Sequence, residues 1–374
     1  MLGSGRATIS RNVSRCARRC YSTASQQEIE RARAYCLSLL KKYDHPSYVL
    51  QAFIPTSAKD AYLALRAFNV DVARVADTTS HPSIGAMRMQ FWRDVVSESL
   101  AGTPRKEPTA ILLASAAEDL QRRSSGRVKL SKNWLHRIVN TREQYLGNPP
   151  YPTLESLESY AENTYSTLLY LTLQALPMQS LVADHVASHI GKATGIATVL
   201  RGLPLIAFPP PPPTHHTSNA KGGPMSNPPQ GAVLLPLDIM ARTGVQEERV
   251  LREGPAAPGL SDAVFEVATR ANDHLITARE MLKNLRAGKD AGHEFEHIDD
   301  GEHGYGDTVQ ERSTDRQLAD VNRAFGVLMG PALTTRLFLE KLEKANFDIF
   351  DDKLRKSDWK FPIRAYWAFT RKEI

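Results

Sequence analysis

The strongest constraint on this chain is a helical apolar period that rarely gives way to the alternation of a strand. Ser25 and Glu28 form a capping-box pattern that opens QQEIERARAYCLSLLKKYD, a helix expected to end near His45-Pro46. Ser57 and Asp60 open a second helix, along which Tyr62, Leu65, Phe68, Val72 and Val75 recur at helical spacing. Ile84, Met87, Phe91 and Val95 repeat the pattern, and further helices read at 108–122, 131–147, 154–176, 181–203, 261–286, 316–345 and 362–372. The expectation is an all-α fold, a single helical domain spanning 25–374 with one large core.

Two low-complexity loop insertions interrupt the period. The first, at about 208–230, starts with a proline run that favours an extended polyproline II segment and then turns to Gly, Ser and Asn. It reads as a tolerated surface insertion in preference to a docking ligand for a proline-binding domain. The second, at about 287–314, contains HEFEHIDDGEH, with His293, Glu294 and His297 in H-E-x-x-H spacing and His303 beyond. A zinc peptidase needs both histidines on one helix face with the glutamate as general base. The flanks carry no apolar stripe, however, and Gly288, Gly292, Gly301, Gly304 and Gly306 each disfavour a helix by roughly 1 kcal/mol relative to alanine. The segment therefore reads as a solvated acidic loop, and no metal site is assigned to it.

Charge and cysteine placement bound the function classes. Of the net charge of +6, Arg6, Arg11, Arg15, Arg18 and Arg19 supply five, in an N-terminal stretch without Asp or Glu, so the remainder is close to neutral. A phosphate-binding stripe, and with it a nucleic-acid partner, is not indicated. Residues 1–24 are Arg-rich, Ser-rich and acid-free, the features of a mitochondrial transit peptide, with processing expected near Tyr21 or Ser22. Cys16 and Cys20 fall within it, which leaves Cys36 and excludes a disulfide within the mature chain. No uninterrupted apolar run of about 18 residues occurs, so membrane association is expected to be peripheral. The C-terminal KFPIRAYWAFTRKEI mixes aromatic and basic residues, a composition that suits an anionic membrane surface as well as a core.

The stretches ALRAFNVDVARVADTTSHPSIGAMRMQFWRDVV (64–96), HIGKATGIATVLRGLP (189–204) and GAVLLPLDIM (231–240) resemble, in order and spacing, the squalene and phytoene synthase superfamily. Ala64, Leu65, Ala67 and Phe68 match the opening of its first motif, Trp92, Arg93 and Asp94 a later W-R-D, Arg201 the arginine of the second motif, and Leu235-Pro236 a following L-P. The resemblance implies an isoprenoid-synthase-like helical fold. Enzymes of this kind use Asp-x-x-x-Asp pairs, whose carboxylates share a helix face and hold Mg²⁺ against a substrate diphosphate.

Here the pairs are broken. Positions 73–77 read Ala-Arg-Val-Ala-Asp, leaving Asp77; Asp71 lies six residues earlier and faces another side of the helix. In the second motif Gly195 stands for the glutamine, Thr198 for the asparagine, Gly202 for the aspartate after Arg201, and Ile206 where the partner aspartate belongs. No catalytic residue, cofactor or metal is therefore assigned. Arg66, Asp71, Asp77 and Arg201 remain as candidates for a remnant ligand pocket, and Asp77 and Arg201 read as capping, solvated or ion-paired charges in preference to catalytic ones.

ALRAFNV, IGAMRMQFWRD, YAENTYSTLLYLTL, ADHVASHIGKATGI and FDIF are similar to the non-enzymatic mitochondrial complex I (NADH:ubiquinone oxidoreductase) assembly branch of that superfamily. This resemblance implies an early assembly role at the matrix face of the inner membrane, with complex I assembly intermediates or membrane subunits as partners and a lipid or isoprenoid as a conceivable ligand. The alternative is a prenyl-diphosphate-using transferase with atypical metal ligands. His185 and His189, one helical turn apart in DHVASH, have no third ligand nearby in sequence and read as hydrogen-bonded packing histidines.

Overall fold

The computed structural model describes residues 25–79, 81–178, 180–209, 231–289, 314–356 and 358–374, and among these no β-strand forms. The HEFEHIDDGEH motif, the N-terminal stretch 1–24 and most of the proline-rich insertion lie outside the described residues. α1 (Gln26–Tyr43) begins at the capping box read from the sequence: the Ser25 amide donates to Glu28 Oε2 at 2.8 Å and the Glu28 amide to Ser25 Oγ at 3.3 Å. The chain does not stay out of helix at His45-Pro46. Asp44 ends α1 and also caps α2 (His45–Leu50), accepting the Ser47 amide at 3.2 Å, while Pro46 in the first turn has no amide to leave unpaired.

α3 (Lys59–Ala73) is followed after Arg74 by a single turn, α4 (Val75–Thr78), then by α5 (Pro82–Leu100), α6 (Pro108–Arg123) and α7 (Lys132–Gln144). The predicted helix over 154–176 is instead α8 (Leu154–Ala161) and α9 (Thr167–Gln174) joined by a π-helical turn at Glu162–Ser166. α10 (Leu181–Ala207) runs past Pro204, and the short α11 (Leu237–Thr243) and α12 (Glu247–Glu253) lead to α13 (Leu260–Arg286), α14 (Thr314–Lys344) and α15 (Phe361–Arg371).

α10 is the axis of the bundle, packing against α8, α9, the π turn, α13 and α14. By length and composition it could cross a membrane, but 61% of its most apolar window is buried inside the protein. It is apolar nearly all round because helices cover it on several sides. One apolar cluster gathers α1, α3, α6, α7, α9 and the first half of α10 around Phe68, Trp134, Tyr170 and Phe325; a second joins the rest of α10 to α11 and α13 through Leu200, Ile239 and Val264.

Two glycines set how closely α10 meets its neighbours. A Cβ on Gly191 would lie 2.4 Å from Ser166 Cα, and one on Gly195 would lie 2.8 Å from Ala161 Cα. The helical pair α8–α9 can therefore sit directly on α10 only because these positions lack side chains. A glutamine at 195 would strike Ala161.

Candidate functional site

The segments carrying the two motif remnants converge. Ala73, Ala76 and Asp77 from α3–α4 and Thr198, Gly202 and Ile206 from α10 line a common cavity of about 170 Å³, closed by residues of α5, α7 and the α7–α8 connection. Its polar edge is Arg142 with four tyrosines, Tyr145, Tyr151, Tyr160 and Tyr165. Tyr145 packs on Tyr151 and Tyr160 with ring centroids 4.8 and 4.9 Å away. Burial raises the pKa of Tyr145, Tyr151 and Tyr160, so these phenols stay neutral.

Burial also raises Asp77, opposed by the charge of Arg74. Arg142 donates from Nη2 to Asn69 Oδ1 at 2.7 Å, and its guanidinium lies 5.9 Å from the Tyr165 ring, while its buried Nε meets no partner. Thr198 is satisfied within its own helix, donating to the Thr194 carbonyl at 2.7 Å. The cavity thus offers one carboxylate and one guanidinium among aromatic and aliphatic walls.

The other sequence candidates go elsewhere. Asp71 faces α6, accepts the Thr109 hydroxyl at 3.1 Å and is raised by burial to about 6 despite that bond. Arg66 is buried within α3, 5.6 Å from the Tyr62 ring. Arg201 stays open to water yet hemmed in by protein, 5.1 Å from the Phe338 ring, and desolvation lowers its pKa. The W-R-D residues act as joints: Trp92 packs edge-on against Phe68 with centroids 5.8 Å apart, and Arg93 pairs with Glu143 and donates to Asn140 Oδ1 at 2.8 Å, tying α5 to α7.

A second polar group, further toward the start of α10, was only half visible beforehand. Glu158 on α8 accepts Arg270 and lies 2.7 Å from His274 Nε2; His274 Nδ1 in turn lies 3.0 Å from His189 Nδ1, and the His185 ring packs 5.2 Å from His189. Burial alone would raise Glu158, but its bonds to His274 and Arg270 prevail and hold it at about 2. The His185/His189 spacing gave a signal; Glu158 and His274 lie 116 residues apart and gave none. Glu162 in the π turn accepts the Tyr170 hydroxyl at 2.5 Å and the Ser188 hydroxyl at 2.8 Å.

Comparison with known proteins bears on the cavity. The sequence profile of the squalene/phytoene synthase family matches residues 40–205 and 227–364. The chain belongs to the squalene/phytoene synthase family. Within the family it resembles proteins named NADH dehydrogenase (ubiquinone) complex I, assembly factor 6. The Mus musculus protein is 32% identical over 355 residues, covering 95% of this chain and 87% of its own length. The Homo sapiens protein is 33% identical over 338 residues, covering 90% and 82%. The homolog of Drosophila melanogaster is 31% identical over 337 residues, covering 89% and 82%. Among solved structures, a dehydrosqualene synthase superposes with a TM-score of 0.62 over 92% of this chain and 98% of that one at 14% identity. A squalene synthase, HpnC from Alicyclobacillus acidocaldarius, gives 0.57 over 86% and 97% at 13% identity. At such identities these two speak for the isoprenoid synthase fold alone.

The metal cluster implied by the family's motif does not fit the donors at this cavity. Mg²⁺ takes near-octahedral oxygen coordination, whereas Asp77 is the cavity's one carboxylate, and Thr198, Gly202 and Ile206 occupy the opposing helix. Among the described residues no group of three or more His, Cys, Asp or Glu is placed to hold a metal. The volume is also below the roughly 300–1,000 Å³ of small-molecule sites.

Proposed function

We propose that this chain is a mitochondrial complex I assembly factor that works by binding and not by turnover. The observation carrying this reading is the donor set of the cavity: two motif helices meet around a single carboxylate, so the charge needed to hold a diphosphate through metal ions is missing. The assembly role is drawn from relatives that carry that name at 31–33% identity. Residues 1–24 serve as the transit peptide, and 25–374 form the working body, with the loops at about 208–230 and 287–314 as insertions. The body acts early in assembly, peripherally on the matrix face of the inner membrane, on an assembly intermediate or membrane subunit. Of the four remnant candidates, Asp77 is the one assigned to the cavity; Arg66, Asp71 and Arg201, which do not line it, are assigned structural roles.

The test is the amount of assembled complex I on a native gel from cells lacking the gene, complemented with the wild type or with Asp77→Ala/Arg201→Ala. Restoration by both is expected. Normal complex I in the deletion overturns the assembly reading. Failure of a stably expressed double variant means that the remnant site still binds or transforms something, and a joint rise in Tm with Mg²⁺ and a prenyl diphosphate overturns the non-catalytic reading.

A further inference from the structure

Side chains that the helical core does not use collect around the last helix. α15 turns Phe361, Ala365 and Ala368 inward, against a bundle side formed by α14 and α2, and this fixes its rotation. Ile363, Tyr366 and Trp367 consequently face out at 54%, 56% and 53% exposure, and Trp359, just ahead of the helix, is 76% exposed. These are large apolar groups left in water on one short segment.

Next to them is a groove of about 280 Å³ lined by Lys341, Lys344, Lys353, Lys356 and Arg364, with Glu340 and Asp358 as its acids. Arg364 reaches Asp358 at 3.5 Å and Lys353 reaches Asp351 at 3.7 Å, whereas Lys344 and Lys356 form no ion pair with a described residue. Residues 353–372 hold seven Lys or Arg against one Asp. The two features adjoin, because Arg364 lines the groove and directly follows Ile363 on α15. Lys360 Nζ lies 5.2 Å from the Trp359 ring centroid and Arg371 Cζ lies 5.2 Å from that of Trp367, so each exposed indole carries a cation.

We propose that this surface is a docking site for an anionic phospholipid bilayer. Lipid phosphates enter the basic groove, and Trp359, Ile363 and Trp367 lodge at the headgroup boundary. Charge complementarity selects this occupant: an excess of lysine beside amphipathic aromatics suits a negative interface, where each basic residue contributes about 1 kcal/mol and indoles sit at headgroup level. The inference rests on the proposed peripheral association and names the surface responsible for it.

The test is co-flotation of the full chain with vesicles of phosphatidylcholine alone or mixed with cardiolipin, comparing variants that all retain residues 1–24. Wild type is expected to bind the anionic vesicles and release as salt is raised. Lys344→Gln/Lys353→Gln/Lys356→Gln should weaken binding roughly 100-fold, from about fivefold per lysine. In Trp359→Phe/Trp367→Phe the blue shift of tryptophan emission on vesicle addition should vanish, because the remaining Trp92 and Trp134 are buried. The substituted side chains are at the surface, and an unchanged Tm verifies folding. Equal binding by wild type and lysine variant, or an emission shift that survives in the tryptophan variant, overturns the site. Wild type that ignores vesicles while still restoring complex I in cells also overturns the site and leaves the assembly reading standing.

Discussion

The end and the start of α10 make a comparison in how buried polar groups are used. Toward its end, at Thr198–Ile206, the helix borders a cavity whose charges are sparse and incompletely partnered: Asp77 is raised by burial and Arg142 keeps an unpaired Nε. Toward its start, His189 joins a chain of paired groups running through His274 and Glu158 to Arg270, with the His185 ring packed on His189, while Ser188 donates separately to Glu162. The first region holds a single carboxylate, Asp77, among aromatic and aliphatic walls; the second has strong electrostatics that tie α8, α10 and α13 together. Burial of charge at this axis therefore serves cohesion more than reactivity.

The comparison breaks if the polar chain is dispensable. Glu158→Ala strands His274 in the core and should cost about 3 kcal/mol in denaturant unfolding, the low end for breaking a buried pair because Arg270 is half exposed. Its pH signature has a definite sign. The carboxyl is depressed from 4.5 to about 2, so its stabilisation is present above pH 4.5 and is lost as pH falls from 4.5 toward 2. In Glu158→Gln that loss should disappear. A variant as stable as wild type at pH 7 would show that the chain does not hold the helices.

Gly191→Ala tests the same junction sterically. Its new Cβ meets Ser166 backbone atoms at 2.4 and 2.5 Å, which cannot yield as a flexible side chain would, so a loss of about 2 kcal/mol is expected from the midpoint of urea unfolding. Gly202→Ala, on the cavity stretch of the same helix, meets Ile206 Cδ1 only at 3.8 Å and should cost nothing measurable. Equal effects at the two glycines would erase the distinction between packed and open stretches.

Asp71→Asn should stabilise by about 1 kcal/mol at pH 7. Burial raises this carboxyl from 3.8 to about 6, so its ionised form opposes folding above pH 6, and wild type gains stability as pH falls from 6 toward 4. That window has the opposite sign to the one at Glu158. Comparing Tm against pH for the two variants separates them.

How far the sequence could be read follows from the same physics. The long helices were legible because each buries a face over several turns and so repeats its apolar residues at helical spacing. α2, α11 and α12 were not, since six or seven residues are too few to establish a period. The π turn inside 154–176 adds residues to a turn without disturbing the apolar pattern on either side. Of the cavity, Asp77, Thr198 and Gly202 were readable through the family motif. Arg142, Tyr145, Tyr151 and Tyr160 come from the α7–α8 region, where nothing in the spacing signals that they share a wall.

The smallest expected effect is at the cavity itself. Asp77→Ala removes a carboxyl that burial already disfavours and that accepts no hydrogen bond from a described residue; Arg74 is the one charge that lowers it. Two opposing small contributions remain, so the change in stability should stay within about 0.5 kcal/mol. Assembly of complex I should likewise be unchanged at equal protein level. A large loss of stability would mean that Asp77 holds α4 in place as Glu158 holds α8, and the two ends of α10 would then differ in geometry only. A loss of assembly without a loss of stability would mean that the cavity receives a ligand or partner group despite its small volume, with Asp77 as the contact that recognises it.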